Sequence, residues 1–242
     1  MNQTIEQLYN RKSVRVFTDQ KISKEIEEEI LEAAFQAPTA GNQQLYTILK
    51  ISDENIKKEL CETCDHQSFI AQGQLVLVFL ADCKKWYDAY NYGNCNPRKP
   101  GVGDLLLAVD DALIAAQNAV VAAESYGIGS CYIGDVMENY ERQRELLNLP
   151  EYVFPAALLV FGYPTQQQKD RVKPLRQNKK YIVQENTYHE LKEEELKDML
   201  SNKCDPTLYD SWIQAFCTRK YNSEFSKEMT RSVQKYLDQF EG

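Results

Sequence analysis

Histidine is nearly missing from this chain: His66 and His189 are the only two in 242 residues. No Ser-His-Asp or Cys-His arrangement can be built around them, so a hydrolase reading has little support. If the protein is an enzyme, the hard chemistry then falls to a cofactor rather than to side chains. Glycine (10) and proline (8) are sparse, which excludes collagen-like, linker and low-complexity classes. There is no Walker A loop. Gly127-Ile128-Gly129 is only a fragment of a dinucleotide fingerprint, because its third glycine position is Tyr132. The seven cysteines are an odd number without framework spacing, which reads as a reduced, cytoplasmic protein. Cys61-Glu62-Thr63-Cys64 lies near His66, but a zinc site needs four ligands and no second pair has the spacing. No βαβ start accompanies that motif, as a redox C-x-x-C would require. The longest apolar stretch, Leu105 to Ala123, is interrupted by Asp110, Asp111, Gln117 and Asn118, and we read no membrane span. Met1 to Tyr9 is polar, without the apolar core of a secretory signal.

What is present is a globular composition, 43% hydrophobic and 26% charged, long enough for one large domain. The net charge is −8, which argues against nucleic acid as the main partner. Against that background Arg11-Lys12-Ser13-Val14-Arg15 stands out, with three cations and a hydroxyl in five residues. Such a density of donors suits a bound anion, most simply a phosphate. A solvated helix end, where cations also gather, is the plainer alternative. A second cationic stretch runs from Lys169 to Lys180 and includes Lys173 and Arg176. Alone it reads as a solvated loop. Two basic clusters far apart in an acidic chain are also what one convergent phosphate site needs.

Periodicity predicts a short helix at Thr4–Tyr9 and a second at Lys24–Gln36, capped by Ser23 with Ile26, Ile30, Leu31 and Ala34 inward. Ala37-Pro38-Thr39-Ala40-Gly41-Asn42 breaks it. A strand is expected over Leu45–Ile51, then a third helix capped by Ser52. Gln74–Ala81 reads as a central strand buried on both faces. Trp86–Gly103, rich in Tyr, Asn, Gly and Pro, reads as a long functional loop. Gly103–Tyr126 is the longest helix. Its small inner positions, Ala108, Ala112, Ala115, Ala116, Ala119, Ala122 and Ala123, fit either a helix buried within one chain or one shared across a subunit interface. Strands follow at Gly127–Gly134 and Pro155–Tyr163, with a helix at Glu138–Leu147 between them. Helices are expected at Glu190–Leu200 and Glu224–Phe240. The mixture without strict alternation indicates an α+β fold. Thr39, Gly41, Asn42 and Gln43 in the turn are groups of the kind that line the polar edge of a planar ligand.

Taken in order, these motifs resemble one family. Arg11 to Arg15, then Phe17, then Ala37-Pro38-Thr39-Ala40-Gly41-Asn42-Gln43 is similar to the opening of the FMN-dependent nitroreductases. The small-residue helix through Ala116-Gln117-Asn118-Ala119 to Gly127-Ile128-Gly129 fits the same family. So do Cys131-Tyr132-Ile133-Gly134 and the Lys173-Pro174 element. The ordering resembles the oxygen-insensitive nitroreductase and NADPH–flavin reductase branch, clearly over residues 3–190 and loosely beyond.

The resemblance implies an α+β domain over residues 1–242, with a central, mainly antiparallel sheet between helices. It implies an intertwined homodimer with FMN at the subunit interface, and residues 165–242 as an extension wrapping the partner. Arg11 and Ser13 would bind the FMN phosphate, with Lys12 helping. Arg15 would reach the N1/O2 side of the ring, where a cation stabilises the reduced anion. Thr39, Asn42 and Gln67 fall at polar contacts to FMN, the turn commonly serving the other subunit's flavin. Ile133 and Gly134 fall where the backbone approaches flavin N5 and O4. Lys173 matches a second phosphate-binding cation, with Arg176 as its partner, although Leu175 interrupts the family's Lys-Pro-Arg order. Where the branch often has a second glycine this chain has Asp135, an acid that would lower the flavin potential or reshape the pocket. The implied activity is electron transfer from NAD(P)H to nitroaromatics, quinones or flavins in a ping-pong cycle. A flavin-binding storage or sensing protein is the alternative. Asn202–Trp212 contains one basic residue, Lys203, where NADPH-preferring relatives carry arginines, so weak NADPH preference is expected.

Overall fold

The computed structural model describes residues 2–241, which divide into two compact units. One unit runs to Arg171 and resumes at Glu228; the other is Val172–Lys227. The first unit is built on four antiparallel strands, β1 (Tyr46–Lys50), β2 (Leu75–Asp82), β3 (Gly129–Ile133) and β4 (Val153–Gly162), in the spatial order β1-β2-β4-β3. Every residue of β2 and of β4 is buried. That is what continuous apolar runs such as Leu75–Ala81 require, since neither face can meet water.

Helices α1 (Gln3–Asn10), α2 (Lys24–Phe35), α3 (Glu54–Thr63), α4 (Phe69–Gln72), α5 (Lys84–Tyr92) and α6 (Val102–Ser125) precede β3 in the chain. Two further helices, α7 (Tyr140–Leu146) and α8 (Gln166–Asp170), flank β4 in sequence. The α+β architecture is as expected, and Ser23 caps α2 through a bond from Ile26 N. The third helix is capped one residue later than expected. Asp53 accepts from Asn55 N and Ile56 N, because a carboxylate satisfies the first free N–H groups and also suits the positive helix end.

The expected Trp86–Gly103 loop is half wrong. Lys84–Tyr92 is helical, supported by the Lys84–Asp88 pair one turn apart, and only the stretch from Gly93 to Gly101 is irregular. Its tyrosines and asparagines disguised a helix that lays Trp86 against Tyr90. The helix expected over Glu138–Leu147 is also shorter. A 3₁₀ turn at Asp135–Met137 comes first, and Asn139 takes a left-handed conformation (φ 51°) before α7 begins.

Helix α6 is long and apolar enough to cross a membrane by composition, but its alanines are spent inside the unit. Ala108, Ala112, Ala115, Ala116, Ala119 and Ala123 are fully buried, letting α2, β2 and β4 approach closely. Asn118 Nδ2 donates to Ala33 O at 3.1 Å across the α2 contact. The alanine stripe therefore serves this chain's own core. A different face of α6 exposes Leu106 (60%), Leu107 (50%) and Ile114 (41%).

Packing also fixes the cationic segment to the sheet. Ser13 bridges Ser130 in parallel, and Val14 N donates to Ser130 O at 2.9 Å. The fit depends on Gly129, where an added Cβ would stand 2.5 Å from Val14 Cγ2 and 2.8 Å from Val14 Cβ. Gly129→Ala is expected to cost about 1–3 kcal/mol of stability by overpacking, read as a lower denaturant midpoint. Val14 sits between Ser13 and Arg15, so the same change should disturb the residues on either side.

The second unit contains α9 (Glu193–Leu200) and α10 (Tyr209–Lys220); α10 is a helix the sequence pattern did not reveal. Its Trp212 and Phe216 rings stack at 5.1 Å. The last helix, α11 (Glu224–Leu237), begins here and from Glu228 belongs to the first unit. There its fully buried Ser232 and nearly buried Tyr236 pack beside Tyr140.

Candidate functional site

The sheet edge at β3 gathers the cationic residues. The Cys131 thiol, 1% exposed, is pushed up by burial and pulled back by Arg15, by a hydrogen bond with Ser13 and by Arg11. The charges of Arg11 and Arg15 and the Ser13 hydroxyl thus all act on one residue of β3. Tyr132, next along the strand, is pushed up to about 12 by burial, with the Arg11 charge acting against the shift. Its hydroxyl meets Gln117 Oε1 on α6 at 3.3 Å. Burial dominates both groups, so both are neutral at physiological pH. Neither thiolate nor phenolate competes with an incoming anion for the guanidinium charges.

The backbone of this segment is tied down from α8. Gln168, buried, accepts from Arg15 N at 3.3 Å. Arg171 Nη2 donates to Ser13 O. Lys12 Nζ donates to Lys169 O at 2.6 Å and also to Arg171 O. Lys12 thus spends two of its three donors on the α8 segment. Gln168 and Arg171 are site residues that sequence reasoning missed. A pattern of spaced cations carries no information about which of them bonds a backbone carbonyl 158 positions away.

At the far end of β3, Ile133 is buried and Gly134 exposed. Gly134 has an ordinary helical conformation (φ −81°), and a Cβ added there would meet only Met137 Cε, at 3.6 Å. Nothing in the chain's own packing demands glycine at this position, since that is an ordinary van der Waals contact. Asp135 follows, and its carboxylate accepts from Gln67 Nε2, which also donates to Cys64 O at 3.0 Å. The contacts run continuously from Arg11, Ser13 and Arg15, along β3, to Gly134, Asp135 and Gln67.

Thr39 and Asn42 are held elsewhere, in a turn anchored to α6 and α5. Asp111, only 3% exposed, accepts from Ala40 N at 2.8 Å and Leu45 N at 3.1 Å. Trp86 Nε1 donates to Gln43 O at 2.7 Å, and Thr39 Oγ1 accepts from Gln44 N at 3.2 Å. Asn42 and Gln44 take left-handed φ values of 56° and 52°. Asp111 was legible as an acid on the alanine stripe, three residues past Ala108 and four before Ala115. Its role was not. Lys173 and Arg176 lie in the second unit, half-buried and exposed respectively. Among the described residues no group of histidine, cysteine and acidic side chains could hold a metal ion.

The nitroreductase family model matches residues 8–163. The chain belongs to the nitroreductase family. A Bacillus subtilis protein named FMN reductase (NAD(P)H) is 29% identical over 98% of this chain and 92% of its own length. A Pseudomonas protein named Cr(VI) reductase is 37% identical over 79% of this chain and 77% of its own. Among solved structures, the NADPH:FMN oxidoreductase of Vibrio harveyi complexed with NAD+ superposes with a TM-score of 0.81. It is 29% identical and covers 98% of both chains. The nitroreductase match takes in the cationic segment, β3, Gln67 and the Asp111 turn, and ends before α8. Two guanidiniums and a hydroxyl acting on one strand, with the exposed backbone of Gly134 at its end, form a donor set that fits a phosphorylated flavin.

Proposed function

We propose that this nitroreductase is an FMN-dependent oxidoreductase that passes electrons from NAD(P)H to flat oxidants such as quinones, nitroaromatics or free flavins. The single observation that carries the reading is the β3 edge itself, with two cations acting on Cys131 and the exposed backbone of Gly134 at its end. FMN, when bound, supplies two-electron chemistry between a nicotinamide and an oxidant. The protein's residues bind and orient. Arg11 and Ser13 hold the phosphate, Arg15 places a fixed positive charge at the pyrimidine edge, and Ile133, Gly134 and Gln67 line the ring's other edge. Lys12 keeps the α8 segment against the cluster and has one donor left for the anion. The order is ping-pong, with the nicotinamide leaving before the oxidant enters.

The purified protein should be yellow and should lose its colour anaerobically on addition of NADH or NADPH. A colourless protein that takes up no added FMN overturns the reading. A yellow protein that neither nucleotide bleaches is a flavin carrier instead. Only Lys203 is basic between Asn202 and Trp212, so kcat/KM should differ little between the nucleotides.

We further propose a homodimer. The apolar face of α6 at Leu106, Leu107 and Ile114 is the kind of surface a partner covers. Thr39 and Asn42, carried on the anchored turn, would serve the partner's flavin. In the second unit Val172 and Tyr188 are each 85% exposed, which suits a C-terminal extension that wraps a partner subunit. Light scattering should return twice the 28.0 kDa chain mass; a monomer would refute the dimer. Seven free thiols suit a reducing, cytoplasmic compartment.

A further inference from the structure

One acid beside the β3 site is used by nothing described so far. Glu138, the residue that follows the 3₁₀ turn after Gly134, is 5% exposed, and its Oε1 atom is buried without a hydrogen-bond partner. A carboxylate in that position is expensive unless it is paired. No cation faces it. Its backbone N donates to Asp135 O at 3.0 Å across the 3₁₀ turn, and the charges of Asp135, of Asp65 after α3 and of Glu228 on α11 all push it up. The Cys64 thiol at the end of α3 is pushed up to about 12, by burial first and then by the Asp135 charge, so it stays neutral. Arg231 reaches Glu228 on α11. It is already shared between Glu228, at 2.8 Å, and Glu141, with two bonds of 2.8 and 2.9 Å.

We propose that Glu138 is a positioning residue that holds a proton between the acids behind the flavin site, so that Asp135 stays clamped to Gln67 only while Glu138 is neutral. The physical chain is short. Burial, then Asp135, Asp65 and Glu228, push the Glu138 carboxyl up to about 7. Below that value it is a neutral group with a proton to donate. A second orphaned acceptor, Gln143 Oε1, belongs to a side chain that donates to Thr63 Oγ1 at 3.0 Å and meets Cys64 Sγ at 3.7 Å, at the same end of α3. Above about 7 two carboxylates repel across the 3₁₀ turn, and Asp135 is driven from Gln67. Gln67, which frames the ring edge, is then left with its bond to Cys64 O alone. The inference rests on the FMN reading.

The sign follows from where the proton sits. The folded chain holds this proton more tightly than the unfolded chain does. Stability therefore falls as pH rises from the ordinary carboxylate range through about 7. The test compares wild type, E138Q and D135N, titrating FMN into FMN-free protein by fluorescence quenching at about pH 6.5 and about pH 8. Wild-type affinity should weaken on the order of threefold to tenfold across that window, and E138Q should stay flat. The flavin phosphate's own ionisation acts on both proteins alike and cancels in the comparison. Without any flavin, the gap in denaturant midpoint between E138Q and wild type should widen as pH rises through about 7 and shrink in the D135N background. Parallel pH profiles for wild type and E138Q, or a midpoint gap independent of pH, would overturn the proposal alone. If no variant binds FMN at either pH while the midpoint gap behaves as expected, the flavin reading falls and takes the positioning role with it.

Discussion

Asp111→Ala is expected to lower stability by about 2–5 kcal/mol, the largest effect of any single substitution considered, read as a drop in denaturant midpoint. Helix α6 brings one carboxylate into the core, where it accepts from two backbone N–H groups, Ala40 N and Leu45 N. Alanine removes both acceptors at once. Each stranded donor costs its desolvation, and no water-filled route is needed to make that penalty real. Asp111→Asn retains an acceptor for one of the two donors, so its loss should be about half as large. The damage should be local before it is global, because the turn from Ala37 to Leu45 has this carboxylate as its tie to α6. FMN binding should weaken in Asp111→Asn even under conditions where the sheet is intact. A variant with a wild-type midpoint would show that the turn is held by other contacts.

Arg11→Ala is expected to raise the FMN dissociation constant by about 10- to 100-fold, the worth of a charge-assisted hydrogen bond to phosphate. Arg15→Ala should loosen FMN less and slow reduction by NAD(P)H more. The charges of the two side chains both act on Cys131. The proposal divides their work: Arg11 acts with Ser13 on the phosphate, whereas Arg15 places its charge where electron density builds in the reduced ring. Arg11→Lys should recover part of the affinity, since a point charge remains but the fork is lost. Titration of FMN and stopped-flow reduction, run on both alanine variants, separate the two roles. Equal effects on affinity and on reduction rate would refute the division.

The cationic pentapeptide, the order of the motifs and the buried strands were all legible, because each depends on neighbours in sequence. Alternation and continuous apolar runs report how much of a strand meets water. Ser23 announced its helix by a cap, and Asp53 was misplaced only because Ser52 beside it is also a competent cap. Helix α5 was missed for a different reason. Its tyrosines and asparagines carry weak helical preference, and the contact that fixes it, Trp86 Nε1 to Gln43 O, comes from another element.

The charge at the β3 edge, the donor types there and the small residues that let α6 enter the core can all be read along the chain. Those are properties of residues and of their local period. Only the tertiary structure decided what each polar group does. Asp111 interrupts an apolar run in sequence and anchors a turn in space. Lys12 reads as a phosphate ligand and spends two donors on backbone carbonyls. Glu138 opens an expected helix in sequence and is buried in the fold, where α11 brings Glu228 to the N–H of Asn139 beside it. Burial and electrostatic coupling depend on distance through space, which the spacing of residues along the chain does not encode.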